Sequence, residues 1–312
     1  MSLLRINQLS KADMTALFAQ AHEIEQGNYN REALRGKILI PMFFEPSTRT
    51  RLSFETAILR LGGQALPVPE TNGLAISKGE SLQDTIKVVS SFGDIIVMRH
   101  PTETALDLAA ECATVPIING GNGCDEHPTQ TLLDLYTIQK EKGRIEGLHI
   151  GLIGDLKHAR VMHSLAKGLA FYDVRLSLVS PPELSLPDDV RDVLRQRGSM
   201  FEETADLQSI LGELDVIYMV MLQHHRISDP QTVQRLQQEY YCITPELLQT
   251  AKPDVIVLHP LVRRDEVSPE VDVLPNAAYF RQARNGVFVR MALLEQMLNH
   301  DFPGQKEKNR VF

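Results

Sequence analysis

Residues 38–51 read Ile-Leu-Ile-Pro-Met-Phe-Phe-Glu-Pro-Ser-Thr-Arg-Thr-Arg. The apolar run Ile38–Phe44 has the length and composition of a buried strand, and the stretch from Pro46 to Leu61-Gly62-Gly63 has those of a helix. A strand that turns at once into a helix is the unit from which parallel sheets are built. Pro46, Ser47 and Thr48 mark the helix start, where the first backbone N–H groups lack an intrahelical partner. Those donors and the positive end of the helix dipole attract an anion, and two hydroxyls with the fork of Arg49 suit a phosphate. Ser and Thr are also ordinary helix caps. Taken alone, Glu45–Arg51 fits a capped helix with solvent-facing arginines equally well.

The same alternation runs outward in both directions. Ser10-Lys11-Ala12-Asp13 is a capping box opening an amphipathic helix through about Glu25. Apolar runs at Ile38–Phe44, Ala65–Pro69, Asp94–Met98 and Val115–Asn119 alternate with helical patterns, one of them opening at Ser81. A second series follows at His149–Gly154, Val174–Val179, Asp215–Met221 and Val255–Leu258. The fold expected is α/β, with two doubly wound parallel-sheet domains and an active-site cleft between them. At 312 residues the chain is long enough for two domains. Thr129–Lys142 reads as the bridge, and the run Val287–Asn299 as a last helix packing back on the first domain. The boundaries expected are 1–133 plus 284–312 for one domain and 134–283 for the other. The polar tail Pro303–Phe312 reads as frayed.

Composition narrows the function classes. A hydrophobic fraction of 43% and a charged fraction of 23% are those of an ordinary soluble globular protein. A net charge of -8 argues against nucleic acid and anionic membranes as partners. Cys112, Cys124 and Cys242 are isolated and lack metal-ligand spacing. No apolar run is long enough to span a bilayer, and no signal-peptide core follows the N-terminus, so the location expected is cytoplasmic.

In open α/β sheets ligands bind at the carboxyl ends of strands, and the polar residues of this chain collect there. Ser47, Thr48 and Arg49 follow the first run, and Arg99-His100-Pro101 follows Ile95–Met98. His127-Pro128-Thr129-Gln130 follows a glycine-rich loop, and Asp155-Leu156-Lys157 with Arg160 follows Gly151–Gly154. Gln223 and Arg226 follow Ile217-Tyr218, and His259-Pro260-Leu261 follows Val255–Leu258. These strand ends are cationic in an acidic protein, so the substrates expected are anions. Each residue alone has a plainer reading: His127 as a structural cap of the next helix, Arg99 as the partner of a carboxylate, Lys78 as a solvated loop cation. His224-His225 reads as surface polar.

With these motifs assembled, the chain resembles the aspartate branch of the aspartate/ornithine transcarbamoylase family over essentially its whole length. The motifs are Phe43–Arg51, Val97-Met98-Arg99-His100-Pro101, His127–Asp134, Gly154-Asp155-Leu156-Lys157 with Arg160, and His259-Pro260-Leu261. The ornithine branch fits less well, because position 260 is proline and its His-Cys-Leu-Pro tetrapeptide is missing. The resemblance implies transfer of a carbamoyl group from carbamoyl phosphate to an amine, without metal or organic cofactor. It implies that Ser47, Thr48, Arg49 and Thr50 bind the phosphate, with Arg99 and Lys78 adding charge. It further implies that His127, Thr50 and Arg99 polarise the carbamoyl oxygen, while Gln130 and the backbone at Pro260-Leu261 hold the carbamoyl amide. Glu45 with Arg160 and Arg226 is implied in domain closure. The Lys78 loop is implied to enter a neighbouring subunit's site in a homotrimer; a regulatory chain would leave no readable motif.

The acceptor half departs from the family pattern. Met219-Val220-Met221-Leu222-Gln223 puts methionine where the family's Met-Thr-Arg-x-Gln has the arginine that binds the aspartate side-chain carboxylate. Val262 replaces a proline that normally follows a cis peptide bond, Arg284 stands at a usual glycine, and position 77 is serine where many relatives have a second lysine. Three readings follow. Arg264 or Arg284 replaces the lost guanidinium and aspartate remains the acceptor. Alternatively, Arg160 and Gln223 hold the carboxylate of a different amino acid beside Met221 and Val262. The third is a non-catalytic carbamoyl phosphate-binding homologue.

Overall fold

The computed structural model describes residues 2–68, 75–299 and 302. The chain divides into two compact units, Met1–Leu133 with Arg284–Phe312, and Asp134–Ala283. The first carries a four-stranded parallel sheet of β1 (Ile38–Phe43), β2 (Gln64–Ala65), β3 (Ile95–His100) and β4 (Ile117–Asn122), ordered β2-β1-β3-β4. Ile40, Met42, Ile96, Met98 and Ile117 are buried together under Ile86, Leu106 and Ala109 of the flanking helices. Each such side chain taken from water stabilises the unit by about 1.5–3 kcal/mol, which explains the near-continuous apolar strands. The chain runs from β1 to β2 on one side, and β3 lies on the other. That reversal puts the ends of β1 and β3 at the switch point of the sheet, where ligands bind in such folds.

The second unit carries five parallel strands, β5 (His149–Ile153), β6 (Arg175–Val179), β7 (Met200–Thr204), β8 (Val216–Met219) and β9 (Ile256–Leu258), ordered β7-β6-β5-β8-β9. Its switch point lies between β5 and β8. Strand β7 departs from the sequence expectation, which had only helix between β6 and β8. It is an edge strand whose residues are at best half-buried, and its Glu202 and Glu203 pair with Arg175 and Arg191. A short edge strand carrying two carboxylates has no apolar signal to read.

Two further boundaries differ from the sequence reading. The strand expected at Ala65–Pro69 is only Gln64–Ala65, and Pro69 lies outside the described residues. So do residues 72–74 of the Lys78 loop and the tail 303–312. The last helix begins at Tyr279, well before Val287, and runs to Leu298. Asn285-Gly286 reads as a break in sequence, but Gly286 is there for packing: a Cβ would meet Arg290 Nη1 at 2.5 Å and Leu133 Cδ2 at 2.9 Å. The helix expected from Ser10 is Lys11–Glu25, with the capping box formed by Ser10 and Asp13. Among the described residues no helix is long and apolar enough to cross a membrane.

Candidate active site

Strand β1 delivers the chain directly to the helix Thr48–Arg60, with Ser47 at its N-cap. The Ser47 side chain accepts no cap hydrogen bond, and the first helical turn contains no acidic residue. A helix end so arranged is compatible with an outside anion. Arg51 pairs with Glu55 at 2.9 Å, while Arg49 lies at the surface with its pKa lowered by desolvation. An ordinary N-cap serine is worth about 1 kcal/mol to its helix. Ser47→Ala should accordingly leave the melting temperature unchanged while weakening inorganic phosphate binding about fivefold, the worth of one hydrogen bond near 1 kcal/mol. Thermal melts beside phosphate titration calorimetry read both, and a melt lowered with unchanged phosphate affinity would mean Ser47 is only a cap.

Behind this turn three buried side chains meet. Arg99, near the end of β3, donates from Nη2 to Thr50 Oγ1 at 3.1 Å and lies 3.1 Å from His127 Nε2. Thr50 Oγ1 lies 3.3 Å from the same His127 nitrogen. Arg99 Nε donates to the Gly120 carbonyl at 2.6 Å, which fixes the plane of the guanidinium. The turn after β4 needs its glycine: a Cβ at Gly123 would meet Glu103 Cγ at 2.5 Å, and φ there is +43°. Gln130 sits half-buried in the first turn of the helix Pro128–Lys142, its N–H on the His127 carbonyl at 2.9 Å. An imidazole nitrogen has one lone pair, so Arg99 and Thr50 crowd a single acceptor, whereas a carbonyl oxygen would offer two. Such a cluster of fixed donors is what a developing oxyanion needs.

The remaining first-unit residues are placed as follows. Lys78 ends a 3-10 turn, Ala75–Lys78, and is exposed. Glu45 is half-buried at the end of β1, close enough to His100 to act on it electrostatically; burial is the larger effect and holds that imidazole below the ordinary histidine value. Arg284 lies over the Phe288 ring of its own helix at 5.6 Å.

In the second unit Asp155, fully buried after β5, ties two loops together. Its carboxylate accepts from the His158 N–H and from the Gln223 N–H, both at 3.0 Å. Gly154 makes room for this approach, since a Cβ would meet Tyr240 Oη at 2.5 Å and the Val220 carbonyl at 2.6 Å. Arg160, half-buried, opens the next helix, Arg160–Leu169, and Met221, Gln223 and Arg226 follow β8, all half-buried. After β9, Pro260 leads to Leu261, which has φ +54°, and the Leu261–Val262 peptide is cis although proline is absent. A left-handed non-glycine residue costs roughly 1–2 kcal/mol. Val262 is 55% exposed. Arg263 is committed to Asp272 and the Tyr279 hydroxyl. Arg264 is exposed near His225, whose pKa is lowered by burial and then by the charges of Arg226, His224 and Arg264.

Asp155 reads in sequence as a strand-end residue without a role, and Glu266 has no sequence signal at all. A buried carboxylate is written with the same letter as a solvated one.

The model of the aspartate/ornithine carbamoyltransferase carbamoyl-P binding domain matches residues 1–140, and that of the Asp/Orn binding domain matches residues 146–297. The chain belongs to the aspartate/ornithine carbamoyltransferase family, and it is a carbamoyltransferase. It is 49% identical over 295 residues to the aspartate carbamoyltransferase catalytic subunit of Thermococcus kodakarensis, covering 94% of this chain and 95% of that one. The catalytic subunit of Methanopyrus kandleri is 47% identical over 300 residues, covering 95% and 96%. Among solved structures, aspartate transcarbamoylase from Trypanosoma cruzi in complex with carbamoyl phosphate and aspartate superposes with a TM-score of 0.89 at 40% identity, covering 95% of this chain and 96% of that one.

Proposed function

We propose that this chain transfers the carbamoyl group of carbamoyl phosphate to the amine of an amino acid other than aspartate. The donor half rests on the first unit. Ser47, Thr48, Arg49 and Thr50 hold the phosphate at the helix start, and Arg99 and the Lys78 of a neighbouring copy add charge. The amine nitrogen attacks the carbamoyl carbon, the oxygen gains negative charge between Arg99, Thr50 and His127, and the bond to phosphate oxygen breaks. In that complex His127 must carry its proton on Nε2 in order to donate. Gln130 and the backbone at Pro260-Leu261 hold the carbamoyl amide. The amine loses a proton as it becomes an amide, and the departing phosphate is a base able to take it.

The observation that carries the acceptor assignment is Met221, half-buried beside Gln223 at the end of β8. A thioether cannot form the charge-assisted bond that a side-chain carboxylate needs. Arg263 is committed to Asp272 and Tyr279, and Arg284 lies over Phe288. Arg160 and Gln223 then hold the α-carboxylate, with the acceptor side chain against Met221 and Val262. A second reading keeps aspartate, the substrate bound in the Trypanosoma cruzi enzyme, with Arg264 supplying the charge. The influence of Arg264 on His225, in the loop that carries Met221, favours it. We also propose that exposed Lys78 completes the site of a neighbouring copy in a homotrimer.

Phosphate release from carbamoyl phosphate, measured across the amino acids and their diamino relatives, tests the acceptor. Turnover fastest with a neutral or diamino acid is the expected result. Fast turnover with aspartate at millimolar concentration overturns it in favour of the Arg264 reading.

A further inference from the structure

Glu266 is 4% exposed and His259 is 1% exposed, on the loop after β9. His259 Nε2 and Glu266 Oε1 are 2.8 Å apart. On the other side of the ring the Leu261 N–H donates to His259 Nδ1 at 2.8 Å. An amide N–H can only donate, so Nδ1 carries the lone pair and Nε2 the proton, which Glu266 accepts. The imidazole is thereby fixed as one neutral tautomer. Burial pushes the Glu266 carboxyl up, but the hydrogen bond from His259 and the backbone N–H bonds outweigh it and hold it below the usual carboxylate range. The same carboxylate accepts from the Arg264 N–H at 3.1 and 3.2 Å.

The backbone that carries the ring is anchored as well. The His259 backbone N–H donates to Gln282 Oε1 at 2.9 Å, Gln282 Nε2 donates to Asp134 Oδ1 at 2.6 Å, and the Tyr218 hydroxyl donates to Asp134 Oδ2 at 2.7 Å. All of these residues are buried. The chain of bonds ends on Leu261, the one non-glycine residue with positive φ among those described. A left-handed leucine persists only where its surroundings over-determine it, and His259 Nδ1 is the acceptor that holds its amide.

We propose that Glu266 is a positioning residue for carbamoyl transfer: by fixing His259 as the Nε2–H tautomer it makes Nδ1 the acceptor that sets the Leu261 amide, and so aims the Pro260-Leu261 backbone at the carbamoyl group. This rests on the reading that Pro260-Leu261 holds the carbamoyl amide. Glu266→Gln keeps an oxygen that accepts from Nε2–H, whereas Glu266→Ala removes the acceptor and lets the ring take either tautomer.

Two measurements on the full chain test this. The first is the ¹⁵N spectrum of the His259 imidazole, which reads the tautomer without any substrate. Wild type and Glu266→Gln should show protonated Nε2 and bare Nδ1, and Glu266→Ala a mixture. The second is kinetics with carbamoyl phosphate and the best acceptor, beside calorimetry with inorganic phosphate. Glu266→Ala should lose about tenfold in kcat with phosphate affinity unchanged, and Glu266→Gln should stay within threefold of wild type. An Nε2–H tautomer retained in Glu266→Ala overturns the proposal. A tautomer that mixes as expected while kcat stays at the wild-type value would leave the tautomer control intact and overturn the contact of Pro260-Leu261 with the carbamoyl group. Equal losses in both variants, with lowered melting temperatures, would show that Glu266 only holds the fold.

Discussion

Arg99→Ala should lower kcat/KM for carbamoyl phosphate by about 1,000-fold. Removing one fixed donor from an oxyanion site costs roughly 100- to 1,000-fold. Arg99 stands at the upper end because it is charged, 9% exposed, and faces Thr50 and His127 from one nitrogen. Its Nε bond to the Gly120 carbonyl at 2.6 Å sets the guanidinium plane before substrate arrives, so no reorganisation is needed when charge develops on the oxygen. Lysine restores little, since one ammonium nitrogen cannot stand both where Nε meets Gly120 and where Nη2 meets Thr50 and His127. Most of the loss should fall on kcat, because a carbonyl oxygen in the ground state accepts weaker hydrogen bonds than an oxyanion. Steady-state kinetics with a circular dichroism melt decide it. A folded Arg99→Ala enzyme within tenfold of wild type would remove Arg99 from the reaction and return it to a structural partner of Gly120.

That residue also shows what the sequence makes legible. Arg99, Thr50 and His127 are far apart in the chain, yet each closes or follows an apolar run, and parallel strands bring such positions to one edge. The sheet logic therefore predicts that these three side chains gather, and they meet within hydrogen-bond reach. It failed where burial and composition part company. Strand β7 is polar because it is an edge strand answered by Arg175 and Arg191. The last helix starts at Tyr279 and runs through Asn285-Gly286, where the glycine packs against Leu133 and Arg290. The supporting roles of two carboxylates are unreadable for a different reason. Asp155 and Glu266 act through hydrogen bonds to backbone N–H groups of loops, and loop geometry has no period in the sequence. The cis bond at Leu261–Val262 likewise has no local signal once proline is gone.

Met221→Arg should raise kcat/KM for aspartate by about 10- to 100-fold while lowering turnover of the native acceptor. The magnitude is that of one hydrogen bond to a charged group, about 1.5–3 kcal/mol, with each 1.4 kcal/mol worth tenfold. The backbone around position 221 is already set: Val220 accepts from the Tyr240 hydroxyl at 3.0 Å, and Gln223 is held by Asp155 at 3.0 Å. The new side chain therefore leaves a fixed point and needs only to extend. Position 221 is half-buried, so the guanidinium is partly desolvated, where a carboxylate is worth more to it than in open water. The loss on the native acceptor has the converse cause, because an acceptor without a second carboxylate leaves that cation unpaired. Arg264→Ala, assayed alongside, separates the two acceptor readings. If Arg264 already serves aspartate, Met221→Arg adds little and Arg264→Ala removes most aspartate turnover. If the acceptor lacks the second carboxylate, Arg264→Ala is nearly silent and the whole change in preference belongs to position 221.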